Sequence, residues 1–175
     1  SFRPKSRNPG NNHIDSSIRW NDIKNKMTNI NNIKKLRELT GAGVSDCKKA
    51  LEETNGDIDK AIELLKKKGL EKADKKSDRE THQGKIFSYV HATGKIGVIA
   101  SLLCETDFVA KTDEFNNLGR EICLQITAMQ PETVEDLLKQ EYIRDGSQTI
   151  ENLVKSVIGK LGENIKISEF KWMKL

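Results

Sequence analysis

Between Ile96 and Ile126 the spacing of apolar residues changes once, and that change limits what the chain can fold into. Ile96 to Leu103 is an apolar strand run that turns polar at Glu105. From about Thr112, Phe115, Leu118, Ile122 and Ile126 recur at helical spacing. A strand that feeds into a helix leaves Asp107 and Phe108 on the turn between them, where a rigid scaffold aims side chains outward. Phe108 has two possible uses there. Its ring either folds back over the sheet as core, as phenylalanine often does, or stands out as a wedge for a partner's apolar pocket. The residues alone leave both open.

The rest of the C-terminal part follows from the same reading. Lys85 to Ala92 and Lys95 to Leu103 are two strands joined by a Thr93-Gly94 hairpin turn. Pro131-Glu132-Thr133 opens a short helix containing Val134, Leu137 and Leu138. Thr149 to Leu161 is a longer one, with Ile150, Leu153, Val154, Val157 and Ile158 apolar and Gly162 closing it. Ile165, Ile167, Phe170 and Trp172 read as a third strand. Three antiparallel strands with helices on one side make an α+β core over residues 85–175. Tyr89, Trp172, Ile165 and Ile167 are expected to leave an apolar strip on the uncovered side, a feature that marks an interface.

Residues 1–28 carry Asn, Ser, Arg and Pro with hardly any apolar periodicity and read as a disordered extension. Arg3, Lys5, Arg7 and Arg19, with few acids nearby, weakly fit a targeting remnant. A cloning scar and a misplaced start ahead of Met27 are the other readings of residues 1–26. Residues 29–70 then hold three short amphipathic helices. The first has Ile33, Leu36 and Leu39 on one face and breaks at Thr40-Gly41-Ala42-Gly43. The second has Val44, Cys47, Ala50 and Leu51 inward, with Ser45 as its expected N-cap. Asn55-Gly56 turns the chain, Asp57 caps the third, and Gly69 is expected to stop it. Residues 71–84 are charged and read as a partly helical linker.

Composition matters here for what it excludes. The formal net charge of +4 is spread among acids over most of the chain, without the concentrated basic face that nucleic acid demands. No apolar run approaches the ~20 residues needed to cross a bilayer. Cys47, Cys104 and Cys123 lie far apart in apolar patterns and read as buried thiols of a reducing compartment. His82 and His91 have no obvious catalytic partner. Gly94-Lys95 is no phosphate loop, because position 89 is Tyr where that motif needs Gly. Chemistry by this chain would have to use Asp107 with nothing obvious beside it, so an enzyme is not expected, nor a metal or cofactor of its own.

Three stretches carry a resemblance. Thr106-Asp107-Phe108-Val109-Ala110-Lys111 is similar to the signature of the elongation factor Ts family, exchange factors for the translational GTPase elongation factor Tu. Leu36-Arg37-Glu38-Leu39-Thr40-Gly41-Ala42-Gly43-Val44-Ser45-Asp46-Cys47-Lys48-Lys49-Ala50-Leu51 and Lys160-Leu161-Gly162-Glu163-Asn164-Ile165 agree with it in the same order. The resemblance runs from roughly residue 30 to the C-terminus.

It implies a UBA-like (ubiquitin-associated-like) first domain that docks on the GTPase through Arg37, Gly43, Val44 and Ser45. It further implies that Thr106, Asp107, Phe108 and Val109 dislodge magnesium from the GTPase, releasing GDP, and that Leu161 and Gly162 add to the contact surface. The expected location is the bacterial cytoplasm, or an organellar matrix if residues 1–26 are a targeting remnant. Long family members carry a second core subdomain and a coiled-coil insertion. This chain resembles the short form, for which a homodimer is expected. The family often has two large apolar residues where Val44 and Ser45 stand. The competing reading is a UBA-like interaction module without exchange activity, which a nucleotide-release assay distinguishes.

Overall fold

The computed structural model describes residues 30–175; the extension read at residues 1–28 lies outside them. Helix α1 (residues 30–40) ends at Gly41, whose N–H donates to Arg37 O at 2.8 Å with φ +69°. Helix α2 spans Val44–Glu53. Its N-cap is Gly43, in extended conformation, and Ser45 lies inside the first turn, so the expected Ser45 cap is not formed. Helix α3 spans Ile58–Asp74, and Asp57 caps it as expected by accepting the Lys60 N–H. Leu36, Cys47, Ala50, Leu51, Ala61 and Leu65 form the common core of these three helices.

Helix α3 does not stop at Gly69. It runs through to Asp74 and lies along α7 (Ile150–Leu161). A Cβ on Gly159 of α7 would sit 3.2 Å from Gly69 Cα, so the two backbones approach each other closely at these glycines. Beyond this crossing Ala73 is buried in the core of the sheet layer, and Lys155 bridges Asp74 at 2.8 Å. One helix thus belongs to both apolar clusters.

The sheet has the order β1 (Gln83–Val90), β2 (Ile96–Cys104), β5 (Ile165–Lys174), all antiparallel with β2 central. Val98, Ala100, Leu102 and Cys104 alternate toward one face, as period two requires. Helix α5 (Asp113–Met129) and α7 cover that face and supply Phe115, Leu118, Ile122, Ile126, Val154 and Ile158 to the core. Gly119 on α5 leaves room for the Phe87 ring, which a Cβ there would overlap. Helix α6 (Val134–Lys139) follows, and between it and α7 a small hairpin, β3 (Glu141–Tyr142) and β4 (Asp145–Thr149), completes the chain. Gln125 holds that hairpin, donating to Glu141 O and accepting from the Ile143 N–H, each at 3.0 Å.

The apolar strip differs from the expected one. Ile165 and Ile167 are buried, and Tyr89 and Trp172 pack partly against the same core, with Trp172 Nε1 donating to Pro131 O at 2.9 Å. The exposed apolar residues on the open face are Ile86, Val90, Ile99 and Met173. A bulge accounts for part of the difference. The β2–β5 register passes from Ser101↔Glu169 to Leu102↔Ile167 and leaves Ser168 unpaired. That extra residue flips side-chain parity, so odd-numbered Ile165 and Ile167 face the same way as even-numbered Phe170 and Trp172.

Candidate partner-binding site

Strand β2 ends at Cys104, and two residues later a single helical turn, α4 (Asp107–Ala110), begins. Thr106 is its N-cap: extended backbone, with Oγ1 accepting the Val109 N–H at 3.4 Å. In one turn of helix, consecutive residues point in very different directions. Val109 and Ala110 turn inward and are buried, while Asp107 and Phe108 turn out. Among the described residues nothing covers the Phe108 side of the turn: the residue is 77% exposed. The opposite use, core, is therefore not the one taken.

Charge surrounds the ring. Lys111 Nζ lies 2.7 Å from Asp107 Oδ2 and 5.9 Å from the Phe108 ring centroid, at the outer limit of cation–π attraction. The hydrogen bond from Lys111 holds the Asp107 carboxyl below the usual carboxylate range. The tip is therefore an apolar disc beside an ion pair, presented by a short turn whose other side is embedded.

The turn is held from behind by the loop after α7. Glu163 Oε2 accepts the Thr106 N–H at 2.9 Å and Glu163 Oε1 accepts the Thr106 hydroxyl at 2.7 Å. Glu105 Oε1 accepts the Asn164 N–H at 2.6 Å, and Arg79 lies 3.5 Å from the same oxygen. Asn164 is buried and donates through Nδ2 to Ser77 O and Arg79 O at 3.1 and 2.7 Å. Lys76 Nζ donates to Gly162 O at 2.7 Å. Residues 162–164 thus join the segment after α3 to the base of the tip.

The sequence-predicted positions divide accordingly. Asp107 and Phe108 are exposed, Asp107 paired with Lys111. Val109 is 7% exposed and packs in the core, where it anchors the turn. Thr106 is half-buried and engaged by Glu163. Leu161 packs partly against the core, and Gly162, with φ +81°, closes α7 at the surface. Arg37, Gly43, Val44 and Ser45 are all exposed at the α1–α2 corner, with Leu39 beside them. The Lys160 side chain reaches that corner, 3.4 Å from where a Cβ on Gly41 would lie. Glu163 and Asn164 were legible as part of a motif, but residue type alone gave them no task.

The three thiols are buried, and burial raises each of them, Cys123 to about 11. None is a ready nucleophile. Among the described residues no three His, Cys, Asp or Glu side chains cluster to hold a metal, and no helix is long and apolar enough to cross a membrane.

A small α+β layer thus presents an exposed phenylalanine from a short capped turn. Comparison with known proteins gives the family. The family model described as "Elongation factor TS" matches residues 105–175. The chain is 42% identical over 188 residues to elongation factor Ts of Fervidobacterium nodosum, covering 82% of this chain and 95% of that protein. It is 43% identical over 183 residues to elongation factor Ts of Leptospira biflexa, covering 79% and 92%. It is 42% identical over 181 residues to that of Thermotoga neapolitana, again covering 79% and 92%. The chain belongs to the elongation factor Ts family, and with it to the proteins of translation elongation.

Proposed function

We propose that this protein is a guanine nucleotide exchange factor for elongation factor Tu and performs no bond-making chemistry of its own. The observation that carries the reading is Phe108: a large apolar side chain, 77% exposed, on a turn whose neighbours are fixed in the core. In this reading the Arg37 and Gly43-Val44-Ser45 corner of the UBA-like bundle docks on the GTPase, with Leu161 and Gly162 at the rim. Asp107 and Phe108 then enter the partner near its bound magnesium. Magnesium demands near-ideal octahedral geometry, so a small displacement of its ligands or waters weakens it sharply. The diphosphate loses its compensating charge and GDP leaves.

Magnitudes explain why two surfaces are required. Burying one phenylalanine is worth ~1.5–3 kcal/mol, or roughly 10- to 150-fold in affinity. A tightly held nucleotide needs more than that, and the docking corner supplies the remainder. Linkage makes the effect reciprocal: the factor by which this protein weakens GDP is the factor by which GDP weakens this protein. The complex is therefore tightest with the empty GTPase, and returning nucleotide ejects the exchange factor.

Residues 29–70 act as the docking domain and 85–175 as the core that presents the tip, joined through 71–84, of which Ala73 packs into that core and Gln83 already lies in β1. A second copy is the proposed cover for the open sheet face of Ile86, Val90, Ile99 and Met173, in line with the twofold symmetry commonest among oligomers. The proposed setting is the bacterial cytoplasm. The test is release of a fluorescent GDP from elongation factor Tu on mixing with this protein. Acceleration that saturates with concentration and weakens with a Val44→Glu substitution supports the reading. Binding without acceleration of release overturns it and leaves a plain interaction module.

A further inference from the structure

A helix of four residues does not hold its own shape, since even isolated helices of a dozen residues are marginal in water. The geometry of α4 must therefore be imposed by its surroundings. Val109 and Ala110 fix its inner side by burial. Its first turn would ordinarily be closed by a capping box, in which a Glu or Gln at the third helical position accepts the N–H of the N-cap residue. Here that position is Val109, which has no acceptor and is committed to the core.

Glu163, far along the chain, occupies the missing role. Its carboxylate takes both the N–H and the hydroxyl of Thr106. The first bond fixes the backbone of the cap. The second uses the hydroxyl proton and leaves the Oγ1 lone pairs turned toward the Val109 N–H. Hydrogen bonds to an ionised acceptor are the strong ones, and two on one residue specify its orientation. Glu163 is itself held on both sides. Gly162 closes α7 in left-handed conformation with its carbonyl on Lys76 Nζ, and buried Asn164 is bonded to Glu105, Ser77 and Arg79.

We infer that Glu163 is a positioning residue for nucleotide exchange, which by gripping Thr106 at two points presents Phe108 already oriented for its partner. The inference rests on the reading of Phe108 as the exchange wedge. Pre-organisation removes an ordering cost that would otherwise be met while the tip enters the GTPase. Because the docking corner lies on other residues, losing the grip lowers the maximal rate of exchange while leaving the concentration for half-maximal effect nearly unchanged.

The experiment compares the intact chain with Glu163→Ala, Glu163→Gln, Phe108→Ala and the double variant Phe108→Ala/Glu163→Ala. GDP release from elongation factor Tu and backbone amide exchange are read on each. Glu163→Ala is expected to lower maximal release about tenfold, the scale of one hydrogen bond to a charged group. Glu163→Gln, which keeps one acceptor oxygen, falls between. The Thr106 and Val109 amides exchange faster in Glu163→Ala while those of β2 and α5 do not, which a general loss of stability would not produce. The double variant is no slower than Phe108→Ala alone, because a wedge already removed cannot be mispositioned.

A parental release rate in Glu163→Ala, or the same factor lost again in the Phe108→Ala background, overturns the inference while the wedge stands. If Glu163→Ala does not fold, the same two outcomes are read on Glu163→Gln. A parental rate in Phe108→Ala removes the wedge reading itself, and with it the inference, whatever the Thr106 amide does.

Discussion

Phe108 and Phe115 lie seven residues apart on either side of one helix cap, and the molecule spends them in opposite ways. Phe115 opens the inner face of α5, is fully buried and stands 5.9 Å from the Phe87 ring in a tilted contact. Phe108 sits on a one-turn helix too short to have two well-separated faces, and its ring projects outward. The difference lies in the element that carries the residue. A seventeen-residue helix laid across a sheet can bury a whole stripe, whereas a four-residue turn buries only the positions that follow its anchor, Val109 and Ala110. An aromatic on such a turn contributes little to folding and is available to a partner.

The largest expected effect is on the buried side of this contrast. Phe115→Ala should cost about 3–5 kcal/mol of stability, as large-to-small core changes in phenylalanine do. Denaturant unfolding measures it, and a loss below about 1 kcal/mol would mean the site is not core. Next comes Gly119→Ala, where the new methyl group meets the Phe87 ring; overpacking of this kind typically costs about 1–3 kcal/mol. A parental melting temperature would show that the ring has room to move. Val109→Ala sharpens the comparison, since it removes the anchor and leaves the ring. Two deleted carbons at a buried position cost about 1.5–2 kcal/mol, and exchange should slow as the turn loosens. Unchanged exchange with reduced stability would detach the turn's rigidity from its function.

The smallest effect concerns Asp107. Its carboxyl titrates below its ordinary value because Lys111 hydrogen-bonds it. A depressed folded pKa contributes stability above the unfolded value, about 3.9, and that contribution is lost as pH falls through the folded pKa. Asp107→Asn should therefore match the parent in the most acidic buffers, and any deficit should appear only at higher pH. Because the pair is exposed, that deficit is close to nothing and shrinks further with salt. A large deficit at neutral pH would mean that the ion pair shapes the turn.

Much of this arrangement was legible beforehand because local chemistry repeats. Thr106, Thr112, Thr133 and Thr149 each cap a helix by accepting the N–H three residues on. Thr112, Thr133 and Thr149 stand at the helix starts that periodicity placed. The strands and the apolar stripes of α5 and α7 also followed from spacing. What escaped was set by distant contacts. The Ser168 bulge reverses parity within one strand, so alternation counted straight through β5 gives the wrong face. Gly69 reads as a stop, yet α3 continues because Gly69 is where its backbone meets α7 at Gly159. Val109 reads as part of a binding signature, and the structure buries it as the anchor of that turn. The β3–β4 hairpin has too few apolar residues to announce itself and depends on buried Gln125. Glu163 lies 57 residues from the hydroxyl it holds, a distance no local pattern spans.

The direct test of the contrast is Phe108→Ala measured twice on one preparation, by thermal melting and by release of fluorescent GDP from elongation factor Tu. The expected result is a melting temperature unchanged within error, since a ring in solvent contributes almost nothing to folding, together with a fall in release of roughly 10- to 150-fold, the worth of one buried phenylalanine. A drop in stability of about 3 kcal/mol with release at the parental rate, the pattern of a core phenylalanine, would contradict it.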